Sequence, residues 1–170
     1  DLYLVLISEF MLQRTNVKQV LPIFNDFINK YPDLNSLANA SPENLHSELK
    51  SLGLNWRIKG MVNVLREMSA DGGSFPTTYD ELIKYKGIGQ YIGGATLCFS
   101  KNLPYTIIDT NIIRLVCRYF GYPIKGDVRR KKDLIELITK TIDYNEPRNY
   151  YYSIIDISHL ICLPKKPLCL

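Results

Sequence analysis

The sequence predicts an all-α protein, and three observations carry that prediction. Apolar residues recur every three to four positions through most of the chain. Helix starts are written at Ser41-Pro42 and at Thr78 with Glu81. No stretch alternates apolar and polar residues with comparable strength, so no strand competes.

Each element follows from its own pattern. Residues 2–14 are apolar with few polar breaks, which predicts a central, buried helix. Val17, Val20, Leu21, Phe24, Phe27 and Ile28 share helical spacing over 17–30. After Ser41-Pro42, Leu45, Leu49 and Leu52 line one face, and Gly53 ends that helix. Ile58, Met61, Val62, Leu65 and Met68 predict a helix over 57–70 that stops near Gly72-Gly73. Thr78 and Glu81 form a capping box for a helix to about Tyr85, which Gly87 and Gly89 break. A helix over 90–100 follows, with Gly93, Gly94 and Ala95 permitting close helix contact. Further helices are expected over 110–120, stopped by Gly121, and over 130–142 and 147–161. No internal repeat or low-complexity linker interrupts them.

Composition bounds the function. The chain has 170 residues, 46% of them hydrophobic, enough for one large domain or two small lobes around a shared core. A net charge of +4 favours a polyanionic partner over a basic one, without by itself identifying nucleic acid. No apolar run reaches membrane-spanning length, so no membrane role is expected. Leu2 to Leu6 lacks a basic leader and is soon followed by Glu9, so a secretion signal is not expected either. Cys98 and Cys117 lie in apolar helical surroundings and read as buried thiols, which fits a cytoplasmic location, by the nucleoid in a prokaryote.

Two short motifs carry chemistry. Lys86-Gly87-Ile88-Gly89-Gln90-Tyr91 reads as a tight hairpin between helices, whose main-chain N–H groups can hold a phosphate. An ordinary interhelical turn is the competing reading. Ile108-Asp109-Thr110-Asn111 delivers one carboxylate at a helix start. Asp109 there is a helix cap, a reacting acid, or both.

Taken in order, Ser8-Glu9-Phe10-Met11-Leu12-Gln13-Arg14-Thr15, Leu52-Gly53-Leu54, Gly87-Ile88-Gly89-Gln90-Tyr91, Ile108-Asp109-Thr110-Asn111 and the Cys162-x6-Cys169 spacing resemble the endonuclease III superfamily. These are helix-hairpin-helix DNA glycosylases of base excision repair. The likeness spans essentially the whole chain. It implies an all-α, two-lobed fold: a six-helix barrel lobe over 1–104, with the hairpin unit at about 79–100, and a second helical lobe over 105–170. DNA and the active site are expected in the cleft between the lobes.

The resemblance assigns roles. Breaking an N-glycosidic bond builds positive charge on the sugar. A carboxylate about 4 Å away stabilises that charge by about 4 kcal/mol at an effective dielectric near 20, on the order of a thousandfold in rate. Asp109 takes that place, activating water or trapping the sugar, with Asn111 beside it. Glu9 falls in the base pocket, where it protonates or hydrogen-bonds the flipped base. Gln13 fills the gap left in the DNA stack and Leu54 is a second wedge. Gln13 looks like the MutY-type or endonuclease III-type members, and Arg14 like thymine glycosylases. Gly87, Ile88, Gly89 and Gln90 hold the strand, and the hairpin carbonyls leave room for a monovalent cation. Trp56 and Arg57 either touch DNA or pack. The basic run from Lys125 to Lys132, with Lys165 and Lys166, flanks DNA or is simply solvated. His46 and His159 have no ligand spacing and receive no role.

Position 91 sets the expected subclass. Members that also cut the backbone carry a lysine there, and a tyrosine cannot form a Schiff base. Tyr91 therefore implies a monofunctional, hydrolytic enzyme. Tyr91 and Arg118-Tyr119-Phe120-Gly121 resemble thymine glycosylases, so the expected substrate is thymine or uracil opposite guanine, in double-stranded DNA bound by a monomer. Adenine opposite guanine or 8-oxoguanine, as in MutY-type members, is the alternative; a catalytically silent DNA-binding module is the rival from another class. Cys162 and Cys169 match half of a four-cysteine 4Fe-4S motif whose other ligands are missing here, so a longer natural protein is expected to carry the cluster, and this chain to lack it or hold it incompletely.

Overall fold

The computed structural model describes residues 1–53, 55–71 and 74–169, with Ala38 through its main chain only. The expected helix stop at Gly72-Gly73 lies outside the described residues. The described residues form helices and loops and no strand. Two compact units divide the chain, Asp1–Ser100 and Lys101–Leu170.

The first unit begins with α1 (Leu2–Leu12), whose start is capped by Asp1 accepting from the N–H groups of Tyr3 and Leu4. Tyr3, Leu6, Ile7, Phe10 and Met11 are buried, as its apolar composition demands. The expected continuation to residue 14 does not form. Gln13 leaves helical backbone and Arg14 takes a left-handed conformation at φ 56°. Asn16 then caps α2 (Val17–Lys30), accepting from the Gln19 N–H at 2.9 Å. The Tyr3 hydroxyl donates to the Tyr31 carbonyl at 2.6 Å and ties the two helices together.

A short helix not foreseen from the sequence, α3 (Leu34–Ala38), starts on a reciprocal cap between Asp33 and Ser36. Ser41 and Pro42 open α4 (Pro42–Leu49) as expected, but the last turn tightens into a 3-10 turn over Lys50–Leu52 before Gly53 at φ 70°. Both α3 and α4 pack on α5 (Asn55–Ala70), burying Leu37, Leu45, Leu49, Ile58, Leu65 and Met68. The Thr78–Glu81 capping box forms, yet α6 (Tyr79–Leu82) is shorter than expected: Tyr85 and Ile88 close three-residue turns instead. Gly93 lies on α7 (Gln90–Lys101) where a side-chain carbon would meet Ile83 and the Tyr79 ring at 3.4 Å, so its absence lets the hairpin helices close up.

The second unit packs α8 (Thr110–Phe120) against α9 (Lys132–Thr141) and α10 (Pro147–Leu160). Gly121, left-handed at φ 67°, ends α8 by donating to the Cys117 carbonyl. The start expected near residue 130 shifts because Val128–Arg130 forms a 3-10 turn. Tyr151, Leu134 and Ile138 fill this unit's core. Among the described residues no helix is long and apolar enough to cross a membrane.

The caps link the fold to pH. The Ser36 N–H and hydroxyl hold the Asp33 carboxyl below its ordinary range, and the Thr77 and Thr78 N–H groups do the same for Glu81. A carboxyl depressed in the folded state contributes stability above its unfolded pKa, which is lost as pH falls through the folded value. The unfolding midpoint is thus expected to be insensitive to these groups from neutrality down to about pH 4 and to fall below it. Combining Asp33→Asn with Glu81→Gln should shallow that acid limb in calorimetric scans.

Candidate active site

Asp109 is carried by an irregular segment, 105–108, with no strand beside it among the described residues. A side chain serves part of its main chain, and the Tyr105 N–H donates to the Leu103 carbonyl. The wholly buried Tyr151 of α10 accepts from the Ile107 N–H at 2.9 Å and donates to the Tyr105 carbonyl at 3.0 Å. The Thr106 and Thr139 hydroxyls meet at 2.9 Å.

At the end of this segment Asp109 caps α8. Its Oδ1 accepts from the Ile112 N–H at 2.7 Å, and its Oδ2 accepts from the Asn111 amide at 3.0 Å. Arginine can only donate, so the bond from Arg114 Nη2 to Asn111 Oδ1 at 3.1 Å fixes which way that amide faces. Arg114 is held in turn by the Ser158 carbonyl at 3.0 Å and the Cys162 carbonyl at 2.8 Å, while the Ser158 hydroxyl donates to the Asn111 carbonyl. The half-buried carboxylate is therefore aimed by a chain of hydrogen bonds. Cap and oriented acid are both present in one side chain. Tyr151, Arg114 and Ser158 are absent from the sequence reading; only the spacing of Asn111 and Arg114, three apart on one helix, marked any of them.

The hairpin separates its two glycines. Gly87 has φ 131°, and a side-chain carbon there would stand 3.0 Å from Val64, so the turn itself requires glycine. Gly89 is exposed, and a carbon built on it meets nothing within 4 Å. Ile88 is buried, which leaves only its main chain to meet a ligand, while Gln90 is exposed. Tyr91 is half-buried in the first turn of α7, a helix of 12 residues whose leading N–H groups lack intrahelical partners by geometry.

Glu9 is buried on α1, Gln13 is half-buried just past its end, and Arg14 is exposed. The choice left open for Arg57 resolves toward packing. It is buried and donates to the carbonyls of Met11, Gln13 and Leu52 and to the Thr15 hydroxyl. Burial pulls its pKa below the ordinary value. Trp56 beside it is 64% exposed. Leu54 lies outside the described residues. In the basic run Lys125, Arg129 and Arg130 are exposed, and Arg129 pairs with Asp127 at 3.4 Å.

The cysteine segment is anchored from α8. Arg118 donates to the buried Cys162 sulfur at 3.4 Å and to the Leu163 and Pro164 carbonyls. The Leu168 N–H donates to the Ile161 carbonyl, closing the loop that leads to the exposed Cys169. A four-iron cluster takes four thiolates. This loop offers two, and among the described residues no group of three or more His, Cys, Asp or Glu side chains is arranged to hold a metal. The residues present do not fit such a cluster by themselves.

A glycine hairpin leading into a helix start, in a chain whose next long helix is capped by an oriented acid, defines a helix-hairpin-helix protein with a carboxylate site. The family of HhH-GPD superfamily base excision DNA repair proteins matches residues 7–140, and the chain belongs to it. It is 36% identical over 177 residues to an adenine DNA glycosylase of Buchnera aphidicola subsp. Schizaphis graminum, covering 99% of this chain and 49% of that one. It is 28% identical over 171 residues to a thymine/uracil-DNA glycosylase of Methanothermobacter thermautotrophicus, covering 99% and 77%. The structure of a thermostable thymine-DNA glycosylase superposes with a TM-score of 0.90 at 28% identity, covering 99% of this chain and 79% of that one. The chain spans about half the length of the adenine glycosylase.

The geometry separates support from contact. Tyr151→Phe leaves the Ile107 N–H and Tyr105 carbonyl without that hydroxyl and should destabilise the chain by about 1–3 kcal/mol in denaturant titrations. Gly87→Ala should cost about 1–3 kcal/mol through its backbone conformation, whereas Gly89→Ala should stay within about 0.5 kcal/mol of the parent.

Proposed function

We propose that this chain is the glycosylase portion of a monofunctional base excision repair enzyme that removes thymine or uracil opposite guanine from duplex DNA. The observation that carries the reading is the Asp109 carboxylate, aimed by Ile112 and Asn111 at the start of α8 in a member of this family. The likeness to thymine and thymine/uracil glycosylases supports the choice of base.

In the proposed reaction the hairpin holds the strand by its backbone. The N–H groups that follow Gly89 face a phosphate, and the missing side chain lets it come close. Gln13 and Arg14, with Leu54, occupy the space the target nucleotide leaves. Glu9 meets the flipped base. As the bond from sugar to base stretches, positive charge grows on the sugar and the Asp109 carboxylate stabilises it. Asn111 keeps the carboxylate aimed. Water then adds to the sugar carbon, its proton passing to Asp109, and the base departs with the bonding pair. Tyr91 stands where a lysine would attack in a strand-cutting enzyme, so the product is an abasic site in an intact strand. Cys162 and Cys169 enter as half of a ligand set, and no step passes through them. The enzyme acts as a monomer.

A second reading, removal of adenine, is favoured by the 36% identity with an adenine DNA glycosylase. Excision assays on G·T, G·U, G·A and 8-oxoguanine·A duplexes decide between them. Release of thymine or uracil is expected; release of adenine alone overturns the first reading, and duplex binding with no excision returns the silent-module reading. Asp109→Asn should abolish release while duplex affinity changes little. Borohydride should trap no protein–DNA adduct, and strands should break only after alkali. Gly89→Ala should weaken duplex binding, and affinity for the parent should fall steeply with added salt.

A further inference from the structure

Arg57 is a buried charged side chain of the first unit that the proposed reaction does not use. It is 3% exposed, and among the described residues it forms no ion pair. A guanidinium removed from water and met by neutral oxygens alone is unfavourable. A hydrophobic residue at the same place on α5 would pack without that penalty. A planar fork of donors can do there what no apolar side chain can.

The fork's contacts state that task. Nη1 reaches the Met11 carbonyl at 3.3 Å, the Gln13 carbonyl, and the Thr15 hydroxyl at 2.8 Å. Nη2 reaches the Leu52 carbonyl at 3.0 Å. These oxygens are the acceptors left over where α1 stops and where the 3-10 turn over 50–52 stops. The Thr15 hydroxyl itself donates to the Gln13 carbonyl at 3.2 Å. Gln19, in the first turn of α2, adds a second lace by donating to the Ser51 carbonyl at 2.8 Å. The loop thus gripped contains Arg14 at φ 56°, a conformation that a side chain with a Cβ rarely keeps unless its surroundings impose it. What it displays is Gln13, half-buried, and Arg14, exposed.

We propose that Arg57 is a positioning residue for base extrusion: from within the fold it sets the backbone of residues 13–15, so that Gln13 and Arg14 meet the duplex as a rigid plug. The inference rests on the glycosylase reading above and adds that nucleotide extrusion, rather than bond cleavage, depends on a residue that never touches DNA. A plug ordered during folding loses no freedom on binding, so more of its contact energy opposes restacking of the target base. Lysine does not replace it, because a single ammonium cannot reach the acceptors on both sides of the fork.

The test separates extrusion from cleavage. Single-turnover excision is measured on two duplexes, one with the target base mispaired and one with it opposite an abasic analogue, where extrusion has less pairing to break. A 2-aminopurine beside the target reports unstacking. Arg57→Met and Arg57→Lys are each expected to lose about tenfold or more on the mispaired duplex, to lose much less on the abasic-opposed duplex, and to brighten 2-aminopurine less than the parent does. Thermal unfolding confirms that each variant is folded at the assay temperature. If the Arg57 variants do not fold, Thr15→Val, which removes one acceptor and one donor from the same knot, should show the same pattern at smaller size. Equal losses on both duplexes, or parental excision and brightening in a folded variant, overturn the proposal. A parent protein that releases no base from either duplex overturns the glycosylase reading instead.

Discussion

The bond from the Ile112 N–H to Asp109 Oδ1, at 2.7 Å, is the constraint on which the proposed chemistry rests. A helix start leaves N–H groups without partners, and the acid at the cap position satisfies one with Oδ1 while Oδ2 accepts from the Asn111 amide. The same bond starts α8 and fixes the direction of the carboxylate before any substrate arrives. That is preorganisation built from ordinary secondary-structure chemistry. Asparagine caps a helix as well as aspartate does, so the structural and electrostatic halves of this residue are separable although one side chain supplies both.

An all-helical chain has no sheet ladder to stiffen its connections, and this one stiffens them with side chains directed at main-chain oxygens. Arg57 gathers the carbonyls where α1 and the 3-10 turn end. Arg114 and Arg118, one turn apart on α8, take the carbonyls of Ser158, Cys162, Leu163 and Pro164. Tyr151 serves both a donor and an acceptor of the segment before Asp109. Arg57 and Tyr151 are buried and Arg114 is half-buried, so these groups leave water in part, while Arg118 works from an exposed position. Both units use the device: Arg57 and Tyr151 act on segments that the proposed reaction employs, whereas Arg118 holds the cysteine segment, which that reaction does not use.

What was legible in the sequence was local. Ser41, the Thr78–Glu81 pair and Gly121 mark helix ends because capping chemistry spans three or four residues. The hairpin and the Asp109 motif were legible for the same reason. The helix at 34–38 is too short to show a period, and its cap pairs Asp33 with a serine instead of the glutamate or glutamine of the usual signature. The overlong expectation for α6 came from reading a capping box as a promise of length; three-residue turns end it at once. The supports of Asp109 were hidden because they act over distance. Tyr151 reaches Ile107 across 44 residues, Ser158 reaches Asn111 across 47, and Arg114 reaches Cys162 across 48. Arg57 showed the opposite difficulty: visible beside a loop, it carried no sign in the sequence of whether its charge faced water.

Relatives named for adenine and for thymine or uracil both align with this chain over almost its full length. In the proposed reaction, charge on the sugar grows in the same way whichever base departs, so the Asp109 motif carries no information about the base. Discrimination has to come from groups that meet the base and from the energy needed to extrude it. A purine leaves readily once a ring nitrogen has taken a proton, whereas a pyrimidine dione leaves as an anion that needs hydrogen-bond donors. In the proposed reaction Glu9, the buried acid of α1, is the group that the first chemistry would draw a proton from and the second would not. Extrusion energy, the other source of choice, is set by the pair that must be broken and is lowest for a mispaired base. On the proposal made for Arg57, the loop at residues 13–15 would therefore bear on selectivity as well as rate, because it would set how much of that energy the protein returns.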